Sequence, residues 1–163
     1  MIELLKKLIE ALQTLLGIYR KMSLSEFART KLGTDFTDDT VCPDDVSCSY
    51  AVTTILREYF QLRGKKFPII LGTDLLDDEL SESPYFKKIF NLPEGSKLPP
   101  NTVIVSPRTP TVHGHTGIPD IDGIVMNNSS SSGLWVKSYD RYKWRETFVV
   151  GRGLVTHLYE III

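Results

Sequence analysis

Pro43-Asp44-Asp45-Val46-Ser47-Cys48-Ser49-Tyr50-Ala51-Val52-Thr53-Thr54-Ile55-Leu56-Arg57-Glu58-Tyr59-Phe60 passes from turn chemistry into a helical apolar period. One proline and two aspartates shape the entry. Ala51, Val52, Ile55, Leu56, Tyr59 and Phe60 then recur at helical spacing, which gives a helix with one broad buried face. The same reading puts Cys48 on the first turn, where unpaired backbone N–H groups and the helix dipole favour a thiolate. A cysteine there can also be a small buried hydrophobe. Ser47, Ser49 and the two upstream acids give it the setting of a cleft rim instead.

Upstream, Ile2, Leu5, Leu8, Ile9, Leu12, Leu15, Leu16 and Tyr19 recur every three or four residues and define an amphipathic helix over residues 1–22. Its apolar stripe is expected to pack on the body or to pair with another copy; a peripheral membrane role is the sharper alternative. Ser23 and Glu26 have capping-box spacing and start a short helix running through Leu32 to Gly33. Residues 1–33 are therefore read as an N-terminal helical segment and 34–163 as the main domain. Asp35, Asp38 and Asp39 lack the glycine and final glutamate of a calcium loop and are read as a solvated turn.

Downstream, Leu75–Leu80 and Ser83–Phe90 read as short helices, and 93–100 as a Pro/Gly linker. The pattern then changes to strands over Thr102–Val105, His115–Pro119, Gly123–Asn127, Leu134–Lys137 and Leu154–Ile163, with a helical turn within Tyr142–Phe148. Helices first and strands second indicate an α+β fold with helices packed on an antiparallel sheet.

The chain has 163 residues, 42% hydrophobic and 24% charged, with a formal net charge of −1. That balance suits one soluble domain and gives no argument for nucleic acid or an anionic membrane as a partner. Met1–Met22 lacks the pattern of a secretory signal, and its charges interrupt any membrane span. The two cysteines, Cys42 and Cys48, are too few for a disulfide scaffold; a bridge between them would silence Cys48 and is read as a redox side reaction.

Cysteine nucleophiles need a histidine base and a polar group that orients it. His113 and His115 share a strand face, and Gly114 and Gly117 beside His115 allow another segment to come close. His115 is thus the expected base and His113 a cleft-lining residue, while His157 is structural. His113 and His115 could also begin a zinc site, completed by Cys48 or Asp122. A hairpin through Asp122-Gly123 brings Asn127 near the level of His115 as the orienting residue, with Asn128, Asp120 and Asp122 as alternatives. The Cys48 backbone N–H, helped by Ser47, is the expected oxyanion donor. Tyr50 is a candidate substrate contact; Trp135 and Trp144 could line a groove, although core packing is the commoner fate of tryptophan. No cofactor is called for.

Cys48 leading a helix, followed by Gly114-His115-Thr116-Gly117-Ile118 and a polar strand end at Met126-Asn127-Asn128-Ser129, resembles the CHAP and NlpC-type cysteine peptidases. The likeness runs over about residues 40–160 and leaves the first helix outside. It implies a papain-like α+β fold and hydrolysis of an amide bond in peptidoglycan. Cys48 then matches the nucleophile, His115 the base and Asn127 the orienting position. Ser47 stands where NlpC-type enzymes usually carry Asp, and Tyr50 where they carry Gly, which leaves open the choice between an endopeptidase and an N-acetylmuramoyl-L-alanine amidase. Such an enzyme would reach the wall after export, on lysis or as part of a phage. A non-catalytic binding or assembly module on the same fold is the alternative from another class.

Overall fold

Period-two alternation along the strands divides the interior into two cores, one on each face of a single sheet. The structure is a computed structural model that describes residues 2–37 and 46–163, with side chains from Leu4 onward. Cys42, Asp38, Asp39 and the turn over residues 43–45 lie outside the described residues, and with them any Cys42–Cys48 bridge. Helices α1 (Ile2–Lys21), α2 (Leu24–Arg29), α3 (Ser47–Gln61) and α4 (Thr73–Glu82) come before strand β1 (Phe86–Ile89). Strands β2 (Thr102–Ser106), β3 (His115–Pro119), β4 (Val125–Asn128) and β5 (Trp135–Tyr139) follow. Helix α5 (Arg141–Trp144) then runs into a π-helical segment, Arg145–Val150, before strand β6 (His157–Ile161). The fold is α+β, and its six strands form an antiparallel sheet in the order β1-β6-β2-β3-β4-β5.

Val103 and Val105, Ile118, Met126, Trp135 and Tyr159 face the side covered by α2, α3 and α4. Their neighbours Ile104, Val125 and Leu158 face the other side, against Trp144 and Phe148. Helix α3 places Ala51, Val52, Ile55, Leu56, Tyr59 and Phe60 in the first core, as its apolar spacing requires. The indole N–H of Trp135 donates to the Ala28 carbonyl at 3.1 Å, so this ring is core and lines no groove.

The capping box forms as its spacing dictates: the Glu26 N–H donates to Ser23 Oγ at 3.3 Å, and the Ser23 N–H donates to the Glu26 carboxylate at 2.8 Å. Helix α2 nevertheless stops at Arg29, short of Leu32. The chain leaves it to pair with β5, with the Gly33 N–H donating to the Trp135 carbonyl and the Trp135 N–H to that of Thr34. Ser83–Phe90 is not a helix. Phe86–Ile89 is the edge strand β1, paired with β6, and Phe86 packs against the stacked rings of Phe60 and Phe67. Pairing with a strand some seventy residues downstream overrides local preference there.

Helix α1 departs from the expected packing on the sheet. Its body stands off, and Leu4, Leu5, Leu8, Ile9, Leu12, Leu15, Leu16 and Ile18 are 46–74% exposed. Only its end is anchored, by Tyr19 against Phe27 and by the Arg20 Nε–H donating to the Leu62 carbonyl. In contrast, Leu24, Phe27 and Ala28 of α2 lie in the main core. Helix α2 is thus part of the body's core, while α1 is joined to it through its last turn.

Asp120 is fully buried, and its carboxylate is gripped by Arg29 of α2 and Lys137 of β5. Burial pushes its pKa up, but the hydrogen bonds from Arg29 and Lys137 outweigh burial and hold it at about 2. The stabilisation is therefore complete above the ordinary carboxylate value and is lost as pH falls toward 2. Asp120→Asn is expected to cost about 2 kcal/mol at pH 7, with variant and parent converging in acid. Thermal unfolding followed from pH 7 to pH 2 checks this.

Candidate functional site

Cys48 is the second residue of α3 and is buried at 6% exposure. The start of α3 is tied down from behind. The Ser49 hydroxyl donates to the Val46 carbonyl at 2.8 Å and accepts from the Gly72 N–H at 2.8 Å. Ser49 is thus a fully buried strut, not the rim residue its polarity suggests. The Ile70 N–H adds a bond to Thr53 Oγ1 one turn later, so the loop entering α4 locks the cysteine end of the helix in place.

His115 is the first residue of β3 and pairs with Ser106 of β2. Gly114 before it is demanded by space. An added Cβ would lie 2.1 Å from Thr73 Oγ1, 2.4 Å from the Ser106 carbonyl oxygen and 2.5 Å from the Arg108 nitrogen. His115 is walled by aromatic rings: it stacks on Phe148 at 5.0 Å and packs near Trp144 at 5.7 Å and Tyr139 at 5.9 Å. The π-helical segment brings Trp144 and Phe148 within 4.5 Å of each other under the imidazole. Trp144 is held by its indole N–H to Ser106 Oγ at 3.1 Å and belongs to the second core; it lines a separate cavity of about 350 Å³ beside Ile104 and Leu158, not the one that holds Cys48.

The orienting partner is Asn127, whose Oδ1 is 3.0 Å from His115 Nε2. Its Nδ2 donates long hydrogen bonds to the carbonyls of Val136 at 3.4 Å and Val125 at 3.5 Å. Those two acceptors fix the amide's orientation, so Oδ1 faces the ring and Nε2 carries the hydrogen. Nδ1 is then the nitrogen left to act as a base. A bulge between Val125 and Met126, just before Asn127, re-aims this end of β4. Asp120 and Asp122 do not take this role: both pair with Lys137. Burial pushes the His115 pKa down to about 4; the Arg152 charge adds to that, and the Asn127 hydrogen bond opposes it only in part. The imidazole is therefore neutral at pH 7.

Ser47, Cys48, His113 and His115 line one cavity of about 600 Å³. Tyr50 does not line it; its half-buried ring packs against the main core. His113 contributes its backbone as well, because its carbonyl accepts from Arg152 Nη1 at 3.0 Å. No group of three or more His, Cys, Asp or Glu side chains converges to hold a metal ion among the described residues, so the His113–His115 pair gains no third ligand there. His157 belongs elsewhere: its Nδ1 is 2.8 Å from the Asp77 carboxylate, which also accepts from the Tyr159 hydroxyl at 2.7 Å.

The sequence reading missed Tyr139, Phe148 and Arg152 on the cavity wall. Only the four-residue spacing of Trp144 and Phe148 hinted at a shared face, and nothing local tied that face to His115. Thus α3 supplies a buried thiol, β3 a neutral imidazole and β4 its amide orienter, all at one end of the sheet. No family model matches the chain, and no curated protein gives a significant match to it.

Proposed function

We propose that the chain is a cysteine hydrolase of the CHAP/NlpC type, on a papain-like fold, that cleaves an amide bond of peptidoglycan. The observation carrying this reading is that Cys48 and His115 line one cavity while Asn127 fixes the imidazole tautomer. His115 Nδ1 takes the thiol proton, and the Cys48 sulfur attacks the amide carbon. The oxyanion is met by the Cys48 backbone N–H on the first turn of α3. The proton passes from His115 to the leaving amine, and water, deprotonated by the same base, releases the acyl group from the thioester. The cleaved bond is either within the stem peptide or between sugar and peptide. The protein would meet the wall after export, on lysis or as a phage component.

The test is digestion of purified peptidoglycan by the wild-type protein and by Cys48→Ala, with fragments identified by mass. The reading predicts new amino and carboxyl termini released by the wild type alone. Because the base must be unprotonated, kcat/KM is expected to hold well below pH 6.5 and to fall only as pH approaches about 4. An acid limb centred at 6.5 or above would contradict this site.

The exposed stripe on α1 favours a second role, self-association. Leu5 and Leu12, and Ile9 and Leu16, are each seven residues apart, the heptad repeat that mates helices along a seam. The occupant proposed is α1 of a second copy. Removal of residues 1–17 is expected to leave the melting temperature within about 3 °C of the parent, since α1 covers little of the body. It should abolish association in a sedimentation run. A parent that sediments as a monomer at high concentration would overturn this role.

A further inference from the structure

The second cavity, of about 350 Å³, lies on the face of the sheet away from α3. Trp144 stands between it and the Cys48 cavity: the indole lines the second cavity and packs near His115 and Phe148, which line the first. Its floor continues the second core, with Leu98, Ile104, Trp144 and Leu158 at 1–7% exposure. The hydroxyl of Thr156 on that floor is already engaged, with the Ser106 hydroxyl at 2.8 Å and the Trp144 indole N–H at 3.2 Å. No side-chain hydroxyl or amide is left there, among the described residues, to receive a sugar or a peptide group, so the floor accepts an apolar body.

The mouth carries positive charge. Arg141 donates to the carbonyls of Leu92, Pro93 and Ser96, which fixes its guanidinium on the rim. Those acceptors are uncharged and Arg141 forms no ion pair among the described residues, so its charge is held in place without being neutralised. Arg145 on the same rim pairs with its neighbour Glu146, at side-chain exposures of 65% and 64%, where such a pair is worth little. No aspartate or glutamate lines the cavity among the described residues. Phe90 completes the rim and leaves its ring 83% exposed, apolar surface that a ligand's body would cover.

We propose that this cavity binds a small single-chain amphiphile with an anionic head, an alkyl carboxylate being the simplest. The chain lies against Ile104, Leu158 and Trp144, and the carboxylate meets Arg141 and Arg145 at the mouth. Burial of the chain supplies the affinity and the guanidinium groups select the head. The volume is at the lower end of the range for small-ligand sites, about 300–1,000 Å³, which suits one short chain and not a two-chain lipid. Cys48 takes no part, so the site stands or falls apart from the hydrolase reading.

The probes are octanoate, 1-octanol and octylammonium, which share one chain and carry a negative, a zero and a positive charge. Each is titrated by calorimetry into the whole protein, and the occupied site is located from methyl NMR shifts of Leu98, Ile104 and Leu158 against Val112 of the Cys48 cavity. Octanoate is expected to bind about tenfold tighter than octanol, with octylammonium weakest, and to shift the first three residues and not Val112. Arg141→Gln should remove most of the preference for octanoate and Arg141→Lys should keep it. Should the glutamine variant fail to fold, raising salt from about 0.05 M to about 0.5 M on the wild type is expected to erode the same preference. Val149→Phe, which extends the wall into the cavity, should abolish binding of octanoate and octanol alike; Ile89→Phe does the same from the opposite strand if that variant is unstable. Equal affinity for octanoate and octanol, octylammonium binding as tightly as octanoate, a preference that survives both Arg141→Gln and high salt, shifts confined to Val112, unchanged binding by the filled variants, or no binding at about 10 mM octanoate each overturns the proposal.

Discussion

Cys48→Ala is expected to lower amide cleavage by about 10⁴-fold or more while leaving the melting temperature within a few degrees of the wild type. The two halves of this expectation have different origins. The loss of rate follows because the hydroxyls that also line the cavity, those of Ser47, Thr111 and Ser130, are much weaker nucleophiles than a thiol, and His115 alone can only activate water. The retained fold follows from where the anchoring lies. Ser49, Thr53 and Gly72 hold the start of α3, and Ala51, Val52, Ile55 and Leu56 supply its buried face, so the sulfur contributes little to packing. Steady-state turnover on purified walls, beside thermal unfolding, reads both. A variant that keeps its rate would show that Cys48 is a packing residue, and one that loses rate and fold together would leave the nucleophile unproved. In the second case Cys48→Ser keeps the volume and separates the two effects.

Gly117→Ala should destabilise the fold by about 3 kcal/mol, or about 10 °C in melting temperature. An added Cβ would sit 2.4 Å from Val125 Cγ1, 2.6 Å from the Met126 carbonyl oxygen and 3.2 Å from the Asn127 Cβ. One of those atoms is backbone in a paired strand, so β4 must move away from β3. That movement also pulls Asn127 from His115, and kcat is expected to fall even below the melting transition, with KM changing less. Gly17→Ala is the control, since a Cβ there meets nothing within 4 Å and α1 gains helix propensity. If Gly117→Ala melts with the wild type, the close approach of β3 and β4 is not what holds the site together.

Much of this arrangement was legible in local patterns. The apolar period after Cys48 specified α3 and its buried face, because a helix that must bury one side repeats every three to four residues whatever it packs against. Ser23 and Glu26 specified a helix start, because both partners of the box lie within one turn. Gly114 and Gly117 read correctly as places of close approach, and Asn127 as a residue at the level of His115, because hairpin pairing over a short turn is itself a local matter. The same logic failed at Ser83–Phe90, whose identity as β1 depends on pairing with β6. It also failed at Ser49, where polarity looked like exposure and turned out to be a buried bond to Gly72.

By itself, the order of residues determined the helices that bury one face, the antiparallel strands and the candidate pair of thiol and imidazole. Each of these follows from spacing along a single segment or across a short turn. Only the tertiary structure decided that Phe148, Tyr139 and Trp144 surround His115, that the first core leaves α1 uncovered, and that the Asn128 amide is buried with neither end hydrogen-bonded among the described residues. The physical reason is that desolvation of an imidazole and satisfaction of a buried amide depend on what distant segments bring alongside, and sequence spacing carries no record of it.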